Sequence, residues 1–229
     1  MPDLSPLWLS LQVAGIATLM VLPVGILVAW WLAYGRPFRG KVLLETLLTL
    51  PMVLPPTVVG FFLLLVLGKG TAFGQWLNEG LGVHLLFTWQ GAALAAGLMA
   101  LPLFIKTASA AFSAVEQEFL EAGRTLGASE RGLLLWVIIP LAYRGLLAAG
   151  TLAFARALGE FGATLMVAGS IPGRTQTLPL ALYSAVQAGQ NHEAYFYTLV
   201  LTVTAFVLLG GVGAIQNHIA SPKERASRR

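Results

Sequence analysis

Long apolar runs alternate along this chain with short polar breaks. Five runs stand out, over residues 8–34, 43–68, 88–112, 142–168 and 194–217. Each exceeds the ~20 residues a helix needs to cross a bilayer, and each is apolar all round rather than along one stripe. The pattern predicts about five transmembrane helices in one domain spanning 8–217. The length of the first run leaves room for a sixth short helix near the N-terminus. Between the runs lie "GRPFRGK", "GKGTAFGQWLNEG", "SIPGRTQTLP" and a longer segment, "FLEAGRTLGASERGLLLWVIIPLA", from Phe119 to Ala142. Residues 218–229, with "SPKERASRR", read as a basic tail too charged for burial.

The longer segment has its own internal pattern. Glu116–Leu126 is built of good helix formers, with Phe119, Leu120 and Gly123 on a less polar side. Gly127 is placed to stop that helix, because glycine takes the left-handed conformation readily. Ser129 then caps a second short helix, Glu130–Ile138, and Pro140, lacking a donor, is expected to break it before the fourth span. A plain solvated connector is one reading of residues 114–141. A compact docking knob is the other.

Composition agrees with a membrane location. The chain is 57% hydrophobic and only 10% charged, against roughly 25% charged in soluble domains. With no cysteine, disulfides and thiolate metal sites are excluded. The first twenty residues have neither a basic region nor a small-residue cleavage site, so they are not read as a removed signal peptide. Charge then sets an orientation. Arg36, Arg39, Lys41, Lys106, Arg124, Arg131, Arg144, Lys223, Arg225, Arg228 and Arg229 fall on one predicted face, and only Lys69 and Arg174 on the other. Positive charge favours the cytoplasm, which predicts the N-terminus outside and the tail inside. Trp8, Trp30, Trp31 and Trp89 lie near span ends, as interfacial aromatics do.

Two features interrupt the runs themselves. In "LPMVLPPTVVGFFLL", Pro51, Pro55 and Pro56 oppose a regular helix, and Leu54 is driven toward extended geometry. Such backbone survives at membrane depth only within protein or beside a cavity. Pro55, Pro56, Thr57 and Gly60 are therefore a packing kink or the lining of a path or gate. In "FARALGEFGATLMVAG", Arg156 and Glu160 are spaced for one helix face. An intramembrane ion pair is costly and marks function; a conformational lock is favoured over substrate contact. After "SIPGRTQ", a short helix is expected from Thr177 as cap with Pro179 in its first turn, either docking a binding protein or scaffolding the mouth.

Other signals are missing. The phosphate-loop pattern G-x-x-x-x-G-K-[ST] does not occur; no internal repeat or nucleophile–base set is visible; and His84, His192 and His218 are scattered. The chain is not expected to be an enzyme or to hold a metal or cofactor.

The segment after Phe119 resembles the coupling loop of permease subunits of ABC importers. Glu121, Ala122 and Gly123 stand at its EAA triplet, with Gly replacing the second Ala. Gly127 stands at its glycine, and Ile138, Ile139 and Pro140 at its close. With "LPPTVVG" and "IPGRTQTLPLALY", nearly the whole chain resembles the molybdate/tungstate branch of the sulfate/molybdate group. The resemblance implies an all-α type I ABC-importer permease fold. It also implies a homodimer, two copies of a separate ATPase that binds ATP and Mg, and a periplasmic or tethered oxyanion-binding protein, with no nucleic acid. Closure of the ATPases would then move the coupling loops and open the pore outward. A sulfate or thiosulfate permease is the nearest alternative; an ATPase-independent channel or carrier and an intramembrane enzyme are more distant.

Overall fold

The computed structural model describes residues 3–35 and 39–219, and side chains as far as residue 211. Arg36 and the basic tail from residue 220 lie outside the described residues. Every regular element among the described residues is a helix. Helices α1 (Ser5–Tyr34), α5 (Trp89–Ser113) and α11 (Asn191–Ile219) match the first, third and fifth predicted runs. Among the described residues no sixth short helix separates from the first run, since α1 is one continuous 30-residue helix.

The centre of the bundle is α1 against α5. Ser10, Val13, Ala14, Ala17, Val21, Gly25 and Ala29 are buried on α1, at the three-to-four-residue spacing that makes one stripe. They meet a small-residue face on α5 that includes Ala92, Ala96, Ala100 and Ala108. Small side chains let backbones approach closely, the usual basis of helix packing in lipid. At Gly25 the approach is tightest: a Cβ there would lie 2.3 Å from Cδ1 of the buried Phe104. Trp8, Leu19, Met20, Val24 and Leu27 of α1 are exposed instead, as a lipid-facing surface would be. The Tyr34 hydroxyl donates to the Phe112 carbonyl, so α1 and α5 finish at the same end of the bundle and run in parallel.

The second and fourth runs differ from expectation. The second is two helices, α2 (Lys41–Val53) and α3 (Pro56–Leu67), bent by 110°, and the short α4 (Ala72–Gln75) follows them. Pro51 is accommodated within α2. The break falls at Leu54, whose ψ of 142° is the extended geometry that Pro55 imposes. The fourth run begins earlier and ends sooner than 142–168. A continuous 29-residue helix covers Glu130–Leu158, comprising α7 (Glu130–Leu133), a π-turn (Leu134–Ile138) and α8 (Ile139–Leu158). Pro140 therefore does not end the helix. Ile139 donates to the Leu134 carbonyl in the wider π register, which absorbs a proline that cannot donate to its own i−4 partner. Beyond Leu158 the chain breaks at residues 159–161 before α9 (Gly162–Ala168). Among the described residues, four helices are long and apolar enough to cross a membrane, or five with the bent pair counted as one span.

Candidate functional site

The segment that resembles a coupling loop is a two-helix knob at the end of the bundle where α1 and α5 finish. α6 (Gln117–Thr125) carries Glu118 in its first turn and Arg124 in its last, complementing the helix dipole. It stops in a Schellman turn. Gly127 has φ +83°, its N–H reaches the Arg124 carbonyl at 2.9 Å, and Ala128 N–H reaches the Gly123 carbonyl at 3.0 Å. The Ser129 hydroxyl then accepts from Gly132 N–H at 3.2 Å, capping α7. Leu120 and Leu133 close a small core between the two helices, both essentially fully buried. Gly123 sits directly on it: a Cβ there would be 2.5 Å from Cδ2 of Leu133. Across the turn, Arg124 pairs with Glu130 at 3.0 Å. That carboxylate's hydrogen bond and charge hold the guanidinium pKa above its ordinary value.

The structure thus divides the expected loop residues into two kinds. Gly123 shapes the knob from within and Gly127 through its backbone conformation at an exposed turn, while Glu121, Ala122 and Leu126 present exposed side chains. Phe119, expected on the inner side, is instead 49% exposed, and Leu126 is 88% exposed at the tip. Pro140 is exposed on the helix that leaves the knob.

A second set of residues forms a joint between helices. Arg156 is in the last turn of α8, but Glu160 lies beyond the end of that helix, so the two do not share one helix face as their spacing predicts. Gly159 and Phe161 carry the chain around, and Glu160 reaches both ways. Its Oε2 accepts from Arg156 Nη1 at 2.6 Å and its Oε1 from Ala163 N–H at 2.8 Å. The Glu160 side chain is 1% exposed and that of Arg156 31%. One carboxylate therefore holds α8 and caps α9, and an anion offered to the α9 N-terminus meets that carboxylate first.

α9 packs on α3, the helix that follows the other break. A Cβ on Gly60 would come within 2.8 Å of the Ala163 Cα, and one on Gly162 within 3.1 Å of the Thr57 nitrogen. Gly60 is accordingly buried in this contact, whereas Pro55 and Thr57 are exposed beside it and Pro56 is half-buried. The four candidates from the second run share one helix start but not one environment.

At the opposite end, the segment after α9 is tightly built. The Thr175 hydroxyl accepts from Ile171 N–H at 3.0 Å, and Gly169 turns with φ +67°. Thr177 does stand at the start of α10 (Leu178–Gln187), but its side chain makes no cap bond. Ser10 of α1 takes that role, its hydroxyl accepting from Leu178 N–H at 2.7 Å. Nothing in a local pattern identifies a cap 168 residues away. Ser10→Ala is expected to cost ~1–3 kcal/mol, the penalty of a buried donor left unpaired. It should be read as a lowered thermal midpoint of the detergent-purified protein, with Ser10→Thr closer to wild type. Among the described residues, no cluster of three or more metal-ligating side chains occurs.

Comparison with known proteins bears on this arrangement. A family model described as "Binding-protein-dependent transport system inner membrane component" matches residues 22–223. The putative molybdenum transport system permease protein YvgM of Bacillus subtilis is 42% identical over 93% of this chain and 94% of its own. The molybdenum transport system permease protein ModB of Escherichia coli K12 is 41% identical over 91% of each chain. A sulfate transport system permease protein, CysT of the same strain, is more distant at 30% identity over 85% of this chain and 69% of its own. Among solved structures, an inward-facing MetNI methionine ABC transporter chain superposes with a TM-score of 0.72 at 17% identity, over 93% of this chain and 94% of that one. That last likeness gives the fold, which is the type I ABC-importer permease fold.

Proposed function

Because the chain belongs to the family of binding-protein-dependent transport system inner membrane components, we propose that it is the membrane subunit through which an ATP-driven importer passes molybdate, or the near-identical tungstate, into the cytoplasm. The relatives at 41–42% identity supply the cargo; the 30% relative makes sulfate the weaker choice. The observation that carries the importer reading is the knob from Gln117 to Ile138, a folded, glycine-turned projection with its motif carboxylate outward. A self-sufficient channel or carrier has no use for such a projection.

In this reading a separate ATPase grips the knob, and ATP and Mg belong to that partner. Two copies of this chain face one another, each with its own ATPase. The knob end is cytoplasmic, consistent with Arg39, Arg124 and Arg131 lying there and Arg174 at the other end. A periplasmic or tethered binding protein delivers cargo at the Arg174 end, where Ile171, Pro172 and Arg174 are exposed.

The transmission is a lever. Residues Glu130–Leu158 form one helix of 29 residues, ~43 Å long, from inside the knob to Arg156. Through Glu160 its far end is fastened to α9, and α9 is seated on α3 at Gly60. A displacement at the knob then reaches the start of α3 through contiguous rigid parts. Pro55 and Thr57, open beside that contact, are the positions assigned to the pore. Arg156 and Glu160 belong to the lever and not to the cargo.

Uptake of labelled molybdate by the complex, reconstituted with its ATPase and binding protein, tests the reading. ATP-dependent uptake competed by excess tungstate and only weakly by sulfate is expected. Equal competition by sulfate would move the chain to the sulfate branch, and uptake without ATPase would remove the importer assignment.

A further inference from the structure

Neither the knob nor the α3–α9 contact accounts for two charges carried on apolar helices, Lys106 exposed and Glu45 half-buried. Glu45 of α2 and Lys106 of α5 line one cleft of about 250 Å³, together with Thr49 and Ser109. The spacing puts Glu45 and Thr49 on one face of α2, and Lys106 and Ser109 on one face of α5. Two polar faces on otherwise apolar helices are thus turned toward each other, with Leu48 and Ile105 as the neighbouring walls. Lys106 is well inside α5: it is seven residues before Ser113, ~10 Å from the helix end at the rise of an α-helix. Among the described residues, neither the Lys106 ammonium nor the Glu45 carboxylate has a hydrogen-bond or ion-pair partner. Lysine within an apolar span is costly unless it meets water, a counter-charge or a ligand.

On the importer reading above, we infer that this cleft is a transient station for the oxyanion on the knob side of the pore. Lys106 supplies the attraction, with Thr49 and Ser109 as polar neighbours. Glu45, in the same cleft but outside ion-pair distance, keeps the station weak. A second negative charge opposes a dianion and competes for Lys106 when the cleft narrows. Conduction requires that balance, since a site on a path must bind well enough to be entered and poorly enough to be left. A phospholipid headgroup presents the same anionic oxygens to Lys106, and the experiment distinguishes the two sources.

The absence of native cysteine makes the test direct. Ser109→Cys places one thiol in the cleft of this chain, and its modification in the assembled complex by a charged, membrane-impermeant methanethiosulfonate is followed by mass. Labelling slowed several-fold by millimolar molybdate is expected. Protection should be lost in Ser109→Cys/Lys106→Gln, kept in Ser109→Cys/Lys106→Arg, and reached at lower molybdate in Ser109→Cys/Glu45→Gln. Protection that ignores the charge at 106 would overturn the station. So would a thiol reached only by lipid-soluble maleimide, or labelling that follows the anionic lipid content of the vesicles and ignores molybdate, which assigns Lys106 to a headgroup. Protection is an equilibrium readout without ATP turnover, so its failure is separate from failure of the uptake assay.

Discussion

Glu160→Ala is expected to destabilise the purified subunit severely and to abolish ATP-driven uptake, although residue 160 makes no assigned contact with cargo or ATPase. The carboxylate is fully enclosed and bonded on both oxygens, to Arg156 Nη1 and to Ala163 N–H. Its removal strands a cation within the bundle and leaves the first turn of α9 with an unsatisfied donor. Breaking a buried pair from one side costs about 3–5 kcal/mol; because Arg156 is 31% exposed and partly solvated, a loss nearer ~2–3 kcal/mol is expected. Glu160→Gln keeps an oxygen for Ala163 N–H and should fall between alanine and wild type. Arg156→Met combined with Glu160→Met removes both charges and should recover the part of the stability lost to the stranded cation, since apolar replacement of a whole pair is often neutral. It leaves Ala163 N–H unpaired and should not recover transport, because α8 is no longer tied to α9. Thermal unfolding in detergent, run beside uptake, reads these effects. A Glu160→Ala protein with an unchanged midpoint would remove the joint from the mechanism.

The same residues show what a one-dimensional pattern conveys. Spacing of four correctly pairs Arg156 with Glu160, because the distance is bridged whether or not the helix continues. It does not reveal the break between them, which comes from Gly162 and Gly60 letting α9 seat on α3, a contact between residues a hundred positions apart. Pro140 fails as a stop signal for a related reason. A proline forbids one hydrogen bond, and a π-turn relocates that bond without ending the helix. Where the signal is purely local, the expectation holds: Gly127 at positive φ, Ser129 as a cap, Leu54 extended ahead of Pro55. Where the partner is distant, as with Ser10 at the start of α10, no local pattern carries it. Glu45 and Lys106 are visible in the sequence as charges, but only the packing of α2 on α5 places them in one cleft.

Gly127→Val should leave the subunit inserted and folded through the bundle, yet reduce ATP-driven uptake by an order of magnitude or more. At φ +83° a β-branched side chain meets its own backbone, and an L-residue in left-handed geometry costs roughly 1–2 kcal/mol. Relaxing that strain releases the bonds to Gly123 and Arg124 that close the Schellman turn, which re-aims Leu126 and the start of α7. Gly127→Asn is the control, because asparagine tolerates the left-handed region and should retain most transport. Glu121→Ala separates shape from contact. Glu121 is exposed and its side chain is outside the knob's own core, so its loss should weaken co-purification of the ATPase while leaving the thermal midpoint unchanged. Full uptake by Gly127→Val would mean that the knob's geometry is not what the ATPase grips. Lost uptake in both Gly127→Val and Gly127→Asn would instead place the requirement on the absence of a side chain at the tip. Loss in Gly127→Val with retention in Gly127→Asn marks a glycine needed for its backbone and loss in both marks one needed for its space; the open surroundings of a Cβ at this position favour the backbone.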